Sequence, residues 1–310
     1  MGIDAVSRAE FLADVLEGLS RPQKAIPGKY LWDETGSGIF DRICESRDYY
    51  LTRRETSLLR AKAPDVARIV GPGASLVEFG SGSSIKTRIL LNVLLEPARY
   101  VALDISYEHL AAATARIARD YPGLEVVPIC ADYTKPLSLP AGTGRPVLGF
   151  FPGSTIGNFG PAAAIQFLAR IGEALGPSLF LVGADPNRDQ ATLSRAYADE
   201  EGLMAALHGN LLVRLNRELG GELDPTHFRH EARALDDPPR VEAHLVAQRP
   251  TICRIGGRTI RFAAGESIYT DSAHKYEPEA FSAVASRAGW EPVCCWLDED
   301  RLFALHLLRR

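Results

Sequence analysis

Leu76-Val77-Glu78-Phe79-Gly80-Ser81-Gly82-Ser83-Ser84-Ile85-Lys86-Thr87 opens as an apolar run and breaks at Gly80 and Gly82. It then passes through small hydroxyl residues into Lys86-Thr87-Arg88-Ile89-Leu90-Leu91. The pattern predicts a buried strand, a tight glycine turn and the first turn of a helix. Glycines there let backbone N–H groups approach a ligand, and Ser83 or Ser84 is placed to cap the new helix. A strand-turn-helix of this kind is a nucleotide-type site at the carboxyl end of a parallel strand. The stretch alone does not decide the fold. Ile85 replaces the third glycine of G-x-G-x-x-G, and there is no G-x-x-x-x-G-K-[ST] phosphate loop.

The next two strands supply context. Arg99-Tyr100-Val101-Ala102-Leu103-Asp104 ends in an acid 24 positions after Gly80, near the spacing at which an acid accepts hydrogen bonds from a ribose diol. Leu124 to Ile129 is a third predicted strand, followed by Cys130-Ala131-Asp132-Tyr133. That acid and aromatic can read an adenine amino group and cover its ring. Three consecutive strand ends carrying Gly-x-Gly, Asp and Asp-Tyr resemble a class I S-adenosyl-L-methionine (SAM) methyltransferase.

Strands are predicted at 75–79, 99–103, 124–129, 146–151 and 178–184, with helices near 86–95, 107–119, 161–175 and 188–206. This alternation means an α/β fold, a Rossmann-like parallel sheet covered by helices. The loop after the fourth strand, Gly153-Ser154-Thr155-Ile156-Gly157-Asn158-Phe159-Gly160-Pro161, again lies where ligands sit in such sheets.

Upstream, 7–19 is helical with Ser7 as cap, 29–38 is a packed loop entering a helix at 39–44, and Thr52 with Glu55 forms a capping box for a helix over 53–69. Downstream, helical 203–219 gives way to an antiparallel meander at 229–235, 240–248, 252–255 and 258–262, turning at Gly256-Gly257. A helix over 277–288 and a hairpin of 291–297 with 302–308 close the chain. The expected division is a SAM-binding methyltransferase domain, 54–187 and 276–310, whose sheet ends in that C-terminal antiparallel hairpin. A second α+β substrate-binding or lid domain takes 1–53 and 188–275.

Composition bounds the function class. With 46% hydrophobic residues among 310, the chain buries a sizeable core. A net charge of −4 leaves no basic footprint for nucleic acid. No apolar run approaches the roughly 18–20 residues of a membrane span, and the N-terminus does not read as a secretory signal. Five scattered cysteines without C-x-x-C read as reduced thiols in a cytoplasmic protein. His208, His227, His230, His244 and His274 show no zinc spacing, so no metal is expected. The expected partner is a small molecule and the expected state a monomer.

Several pieces together are more specific: Gly36-Ser37 with Phe40, Tyr49-Tyr50-x-Thr52-Arg53, Glu78-x-Gly80-Ser81-Gly82-x-Ser84-x-Lys86-Thr87, Gly153 to Asn158, Arg195-Ala196-Tyr197, Asn216-Arg217-Glu218-Leu219 and Lys275-Tyr276. Over nearly the whole chain they resemble the histidine-specific SAM-dependent methyltransferase family, which includes the histidine Nα-trimethyltransferase of ergothioneine biosynthesis. The resemblance implies a two-domain enzyme that methylates the α-amine of an amino acid, using three SAM in succession. It implies that Tyr49, Asn158 and Tyr197 hold the substrate's amino and carboxylate groups. Gly80, Ser81, Gly82, Lys86, Asp104, Asp132 and Tyr133 would form the SAM site, and Gly153 would lie close to both ligands.

Those residue types suit the chemistry. Methyl transfer from a sulfonium to an amine needs a neutral amine and tight positioning. Asn158 can donate and accept, and aromatic faces favour a growing quaternary ammonium. No residue need be a strong base, because water can take the proton.

The side-chain end departs from the family. Trp32 stands where the histidine enzyme has Tyr, Asp271 and Ala273 where it has Glu and Ser against the imidazole, and Ala243 where it has Met. Losing polar partners relaxes or redirects specificity. Histidine or a related aromatic amino acid is one expected substrate, and a bulkier amino acid or amine is the alternative. A SAM-binding protein without transferase activity is a third reading, while the incomplete glycine pattern weighs against a nicotinamide dehydrogenase.

Overall fold

A computed structural model of the chain describes residues 7–82, 84–140, 146–198 and 200–310. In chain order the first elements are α1 (Arg8–Ser20), β1 (Lys24–Ala25), α2 (Glu34–Glu45) and α3 (Tyr50–Val70). Then come β2 (Ser75–Phe79), α4 (Ile85–Leu91), β3 (Arg99–Asp104), α5 (Tyr107–Asp120), β4 (Glu125–Cys130), β5 (Val147–Phe151), α6 (Pro161–Leu175) and β6 (Leu179–Ala184). They are followed by α7 (Gln190–Tyr197), α8 (Leu203–Leu219), β7 (Phe228–Asp236), β8 (Pro239–Ala247), β9 (Thr251–Ile255), β10 (Arg258–Phe262) and β11 (Ser267–His274). The chain closes with α9 (Pro278–Arg287), β12 (Glu291–Leu297) and β13 (Ala304–Arg309). It divides into two compact units, one of Leu51–Asn187 with His274–Arg310, the other of 7–50 with Arg188–Ala273.

The first unit is built on a seven-stranded sheet of order β12-β13-β6-β5-β2-β3-β4. β6, β5, β2, β3 and β4 run parallel, and β13 pairs antiparallel with both β6 and β12. The α/β class and the antiparallel C-terminal hairpin are therefore as the sequence predicts. Every residue of β2 and β5 is buried, which explains why apolar residues dominate both. Phe151, Phe167, Phe180 and Trp290 meet in the core on one side of the sheet, with Trp290 Nε1 donating to the Leu168 carbonyl at 2.8 Å. Because β2 lies between β3 and β5, the strand order reverses there. That places the loops after β2 and β5 side by side at the sheet's carboxyl edge.

Where the chain leaves this unit and where it returns, the two segments are tied. The buried Asp185 carboxylate accepts from Lys275 Nζ at 2.6 Å, and the Tyr276 N–H donates to the Asp185 carbonyl at 2.8 Å.

The second unit holds a four-stranded sheet of order β1-β11-β8-β7 and a separate β9-β10 pair. α1 buries Phe11, Val15 and Leu19, and Ser7 caps it by accepting the Glu10 N–H at 3.1 Å.

Five expectations change. α2 starts at Glu34, capped by Asp33, and Gly28–Leu31 is a 3-10 turn, so most of the predicted 29–38 loop is helical. α3 starts at Tyr50, so Thr52 lies inside the helix and Glu55 makes no capping box; its carboxylate is drawn elsewhere, as described below. The helix predicted over 188–206 is two helices, broken before Gly202, whose φ of +71° suits glycine. The meander splits between two sheets, although the Gly256-Gly257 hairpin turn is present with both residues at positive φ. β11 is a strand with no counterpart in the sequence reading, because polar residues occupy both of its faces.

Candidate active site

The turn after β2 is held by its neighbour strand. Gly80 and Gly82 have φ of +76° and +47°, and the Gly80 N–H donates to the Leu103 carbonyl at 2.8 Å. Asp104 accepts the Gly82 N–H at Oδ2, 3.1 Å, and the Ser106 N–H at Oδ1, 3.0 Å. A carboxylate has about four acceptor sites, so Asp104 retains capacity for a ribose hydroxyl. Ser81 Oγ is buried with no hydrogen-bond partner among the described residues. Ser84 enters α4 in the left-handed region at φ 58° and its side chain makes no capping bond, contrary to expectation; Ser83 lies outside the described residues.

Beneath the turn, Glu78 accepts from Thr87 Oγ1 at 2.6 Å and from the Tyr100 hydroxyl. Burial pushes the Glu78 carboxyl up to about 7, opposed by those two bonds.

At the end of β4, Asp132 is buried and its Oδ1 accepts from the Thr134 N–H at 2.9 Å. The Tyr133 ring stands edge-on to Phe151 and Phe167, centroids 5.7 and 5.9 Å away. A Cβ on Gly80 would lie 3.8 Å from Tyr133 Cε1, so these two strand ends come together.

After β5, Gly153 has φ +80° and the turn Thr155–Asn158 presents an exposed Asn158. Ser154 Oγ accepts the Asp185 N–H at 3.0 Å, and Tyr276 donates its hydroxyl to the Phe159 carbonyl at 2.6 Å. A Cβ on Gly157 would be 2.8 Å from the His274 carbonyl oxygen, so the turn is seated directly on that backbone. A Cβ on Gly153 would lie 3.6 Å from Lys86 Nζ. Lys86 pairs with Glu55, and Glu55 also accepts the Gly153 N–H.

In the second unit Trp32, Phe40, Tyr49 and Tyr197 form a run of edge-on rings, with centroids 5.2, 6.1 and 6.3 Å apart in turn. Ala243 is on β8 and Asp271 with Ala273 on the neighbouring β11. Thr270 ties the two strands, its Oγ1 donating to the Ala243 carbonyl at 3.0 Å. Asp271 is turned onto its own backbone: Oδ1 accepts the Ser272 N–H at 2.9 Å. Desolvation pushes its carboxyl up to about 7, against the lowering by that N–H. Gly28 crowds it, since a Cβ there would be 3.0 Å from Oδ1.

The first unit thus brings Gly80, Ser81, Gly82, Lys86, Asp104, Asp132, Tyr133, Gly153 and Asn158 to one edge of its sheet. The second unit brings Trp32, Tyr49 and Tyr197 into one aromatic run and Ala243, Asp271 and Ala273 onto adjacent strands. Sequence reasoning missed Phe40 as a member of that run, although it stands in a motif. It also missed Glu55, whose only sequence signal pointed to a helix cap.

The donor set fits a nucleoside carrying a charged amino-acid tail: a carboxylate for a diol, an ammonium, glycine N–H groups, a buried hydroxyl with spare capacity and an aromatic ring. Among the described residues no His, Cys, Asp or Glu cluster could hold a metal ion, and no helix is long and apolar enough to cross a membrane. All five cysteines are free thiols.

The chain is similar to known methyltransferases along nearly its whole length. The chain is 36% identical to a histidine N-alpha-methyltransferase of Mycolicibacterium smegmatis, over 99% of this chain and 97% of that one. It is 37% identical to a histidine N-alpha-methyltransferase of Mycobacterium tuberculosis, over 95% and 93%. A 4-dimethylallyltryptophan N-methyltransferase of Aspergillus fumigatus is 26% identical over 95% and 92%. The profile of the family described as histidine-specific methyltransferase, SAM-dependent, matches residues 11–310, and the chain belongs to that family of SAM-dependent methyltransferases.

Proposed function

We propose that this SAM-dependent methyltransferase acts on the α-amine of free histidine. The observation that carries the reading is the match, over nearly the full length of both chains, to relatives named for that reaction. The glycine turn, Asp104, Asp132 with Tyr133, and Lys86 hold the cofactor. Asn158, Gly153, Tyr49 and Tyr197 hold the amino and carboxylate groups of the substrate. SAM, when bound, supplies a methyl group on sulfonium for in-line transfer to an amine.

The chain's own work is positioning. Asn158 offers both a carbonyl and an NH₂, so it can meet an amine and a carboxylate at once. Its place is set by the Gly157 seat on the His274 backbone and by the Tyr276 bond to Phe159. Tyr49 and Tyr197 present hydroxyls that can donate to the substrate carboxylate and ring faces that favour an alkylated ammonium. The amine is neutral when it reacts, and its proton leaves to water.

The Asp271 side chain favours a second reading, the same chemistry on a bulkier aromatic amino acid. Bonded to its own backbone and partly protonated near neutral pH, it is a weaker imidazole acceptor than a free carboxylate. Ala273 offers no hydroxyl and Ala243 leaves room. One relative is named for a prenylated tryptophan. A panel of free amino acids incubated with SAM and read by mass spectrometry separates the readings and counts the methyl groups. Histidine as the best substrate supports the first; tryptophan or tyrosine ahead of histidine overturns it.

A further inference from the structure

Glu55 has no part in a helix cap, yet it is fully buried on α3. Removing a carboxylate from water is costly unless partners replace the lost hydration. Here they come from two separate loops. Both carboxylate oxygens accept the Gly153 N–H, at 2.9 and 3.0 Å, and the carboxylate is ion-paired with Lys86. Behind it, Gly183 on β6 leaves the space the carboxylate occupies: a Cβ there would be 2.6 Å from Oε1. One anion thus joins the helix that follows the Gly80–Gly82 turn to the first residue of the turn that carries Asn158.

We propose that Glu55 is a positioning residue for methyl transfer: it holds Lys86 and Gly153 in fixed relation and competes with the cofactor's carboxylate for the Lys86 ammonium. The inference rests on the reading of Lys86 as a cofactor contact and of Gly153–Asn158 as the substrate turn. A cation shared between two anions binds each less strongly than it would bind either alone. Glu55 therefore weakens product retention while keeping the reacting groups aligned. Its removal has two effects of opposite sign: S-adenosylhomocysteine held more tightly, and slower turnover.

The test is Glu55→Gln in the full chain, with S-adenosylhomocysteine affinity measured by calorimetry, and kcat and KM measured on the best amino acid from the panel. The expected result is at least a twofold gain in S-adenosylhomocysteine affinity together with at least a tenfold loss of kcat. A residue that only supports the fold would not produce opposite signs. Affinity and kcat falling together, or kcat within threefold of wild type, overturns the proposal. Should the single variant not fold, Glu55→Gln with Lys86→Met leaves no unpaired buried charge. It should then bind S-adenosylhomocysteine no more tightly than Lys86→Met alone, and a further gain would refute the competition. Lys86→Met with unchanged S-adenosylhomocysteine affinity would instead remove the underlying reading of Lys86.

Discussion

Asp271→Glu with Ala273→Ser tests the side-chain end of the site. In wild type the Asp271 Oδ1 already accepts the Ser272 N–H at 2.9 Å, so the short side chain is folded back rather than reaching outward. Glu adds one methylene, about 1.5 Å of reach, and loses the geometry for that local bond. The second substitution, Ala273→Ser, adds a hydroxyl two residues further along the same strand. If each new bond to an imidazole nitrogen contributes about 1 kcal/mol, two contribute about 2 kcal/mol. At about 1.4 kcal/mol per factor of ten, kcat/KM for histidine should rise roughly thirtyfold. Because both bonds persist through the reaction, the gain should fall mostly in KM. Initial rates by mass spectrometry, wild type and variant side by side at pH 8, decide it. A wild type already efficient on histidine, with a double variant no better, would refute the reasoning.

Asp104→Ala should weaken S-adenosylhomocysteine binding by about 1–3 kcal/mol in calorimetry, because a charged acceptor is lost and the Gly82 and Ser106 N–H groups lose their tether; unchanged affinity would exclude Asp104 from the site. Asn158→Ala should remove most turnover while S-adenosylhomocysteine affinity stays within about twofold of wild type; near-normal kinetics on the true substrate would end that assignment. Gly157→Ala should lower kcat as well as Tm, since the new Cβ must displace the His274 carbonyl it would meet at 2.8 Å; a fully active variant would show that the turn is not seated as described. Glu78 has a folded-state value raised from 4.5 to about 7 by burial, so its contribution to stability is complete below its unfolded value and is lost as pH rises through about 7. Glu78→Gln should therefore flatten the fall in stability between pH 5 and 8 seen by denaturant titration, and an unaltered slope would contradict the assignment.

Much of the first unit was legible because its signals are local. The apolar runs of β2, β3 and β5, the glycines at 80 and 82 and the acid at 104 lie within a few residues of the backbone geometry they create. Proline at the start of α6 and Gly176 after it bracket that helix in the sequence as in the structure. What stayed hidden depends on distant partners. Thr52-x-x-Glu55 satisfies the capping-box pattern, but Glu55 is bonded to Gly153, and no local rule reports a contact across so much sequence. β11 alternates no apolar face because Thr270 answers His208 and Ala243 while Asp271 answers its own backbone. Its proposed role at the side-chain end came from the family resemblance, and its secondary structure did not. The break between α7 and α8 turns on Gly202, one residue inside otherwise helical composition.

The Asp185–Lys275 pair has a consequence for how this architecture tolerates change. It fastens the outgoing and returning segments together inside the first unit, so the two ends of everything between Arg188 and Ala273 are already neighbours. Loop-closure entropy grows only with the logarithm of loop length, and here the fixed part of that cost is met by contacts the first unit makes on its own account. The intervening segment can therefore lengthen, shorten or be rebuilt with little effect on the seven-stranded sheet. Change in that segment is thus kept apart from the sheet whose loops carry Gly80, Gly82 and Asn158.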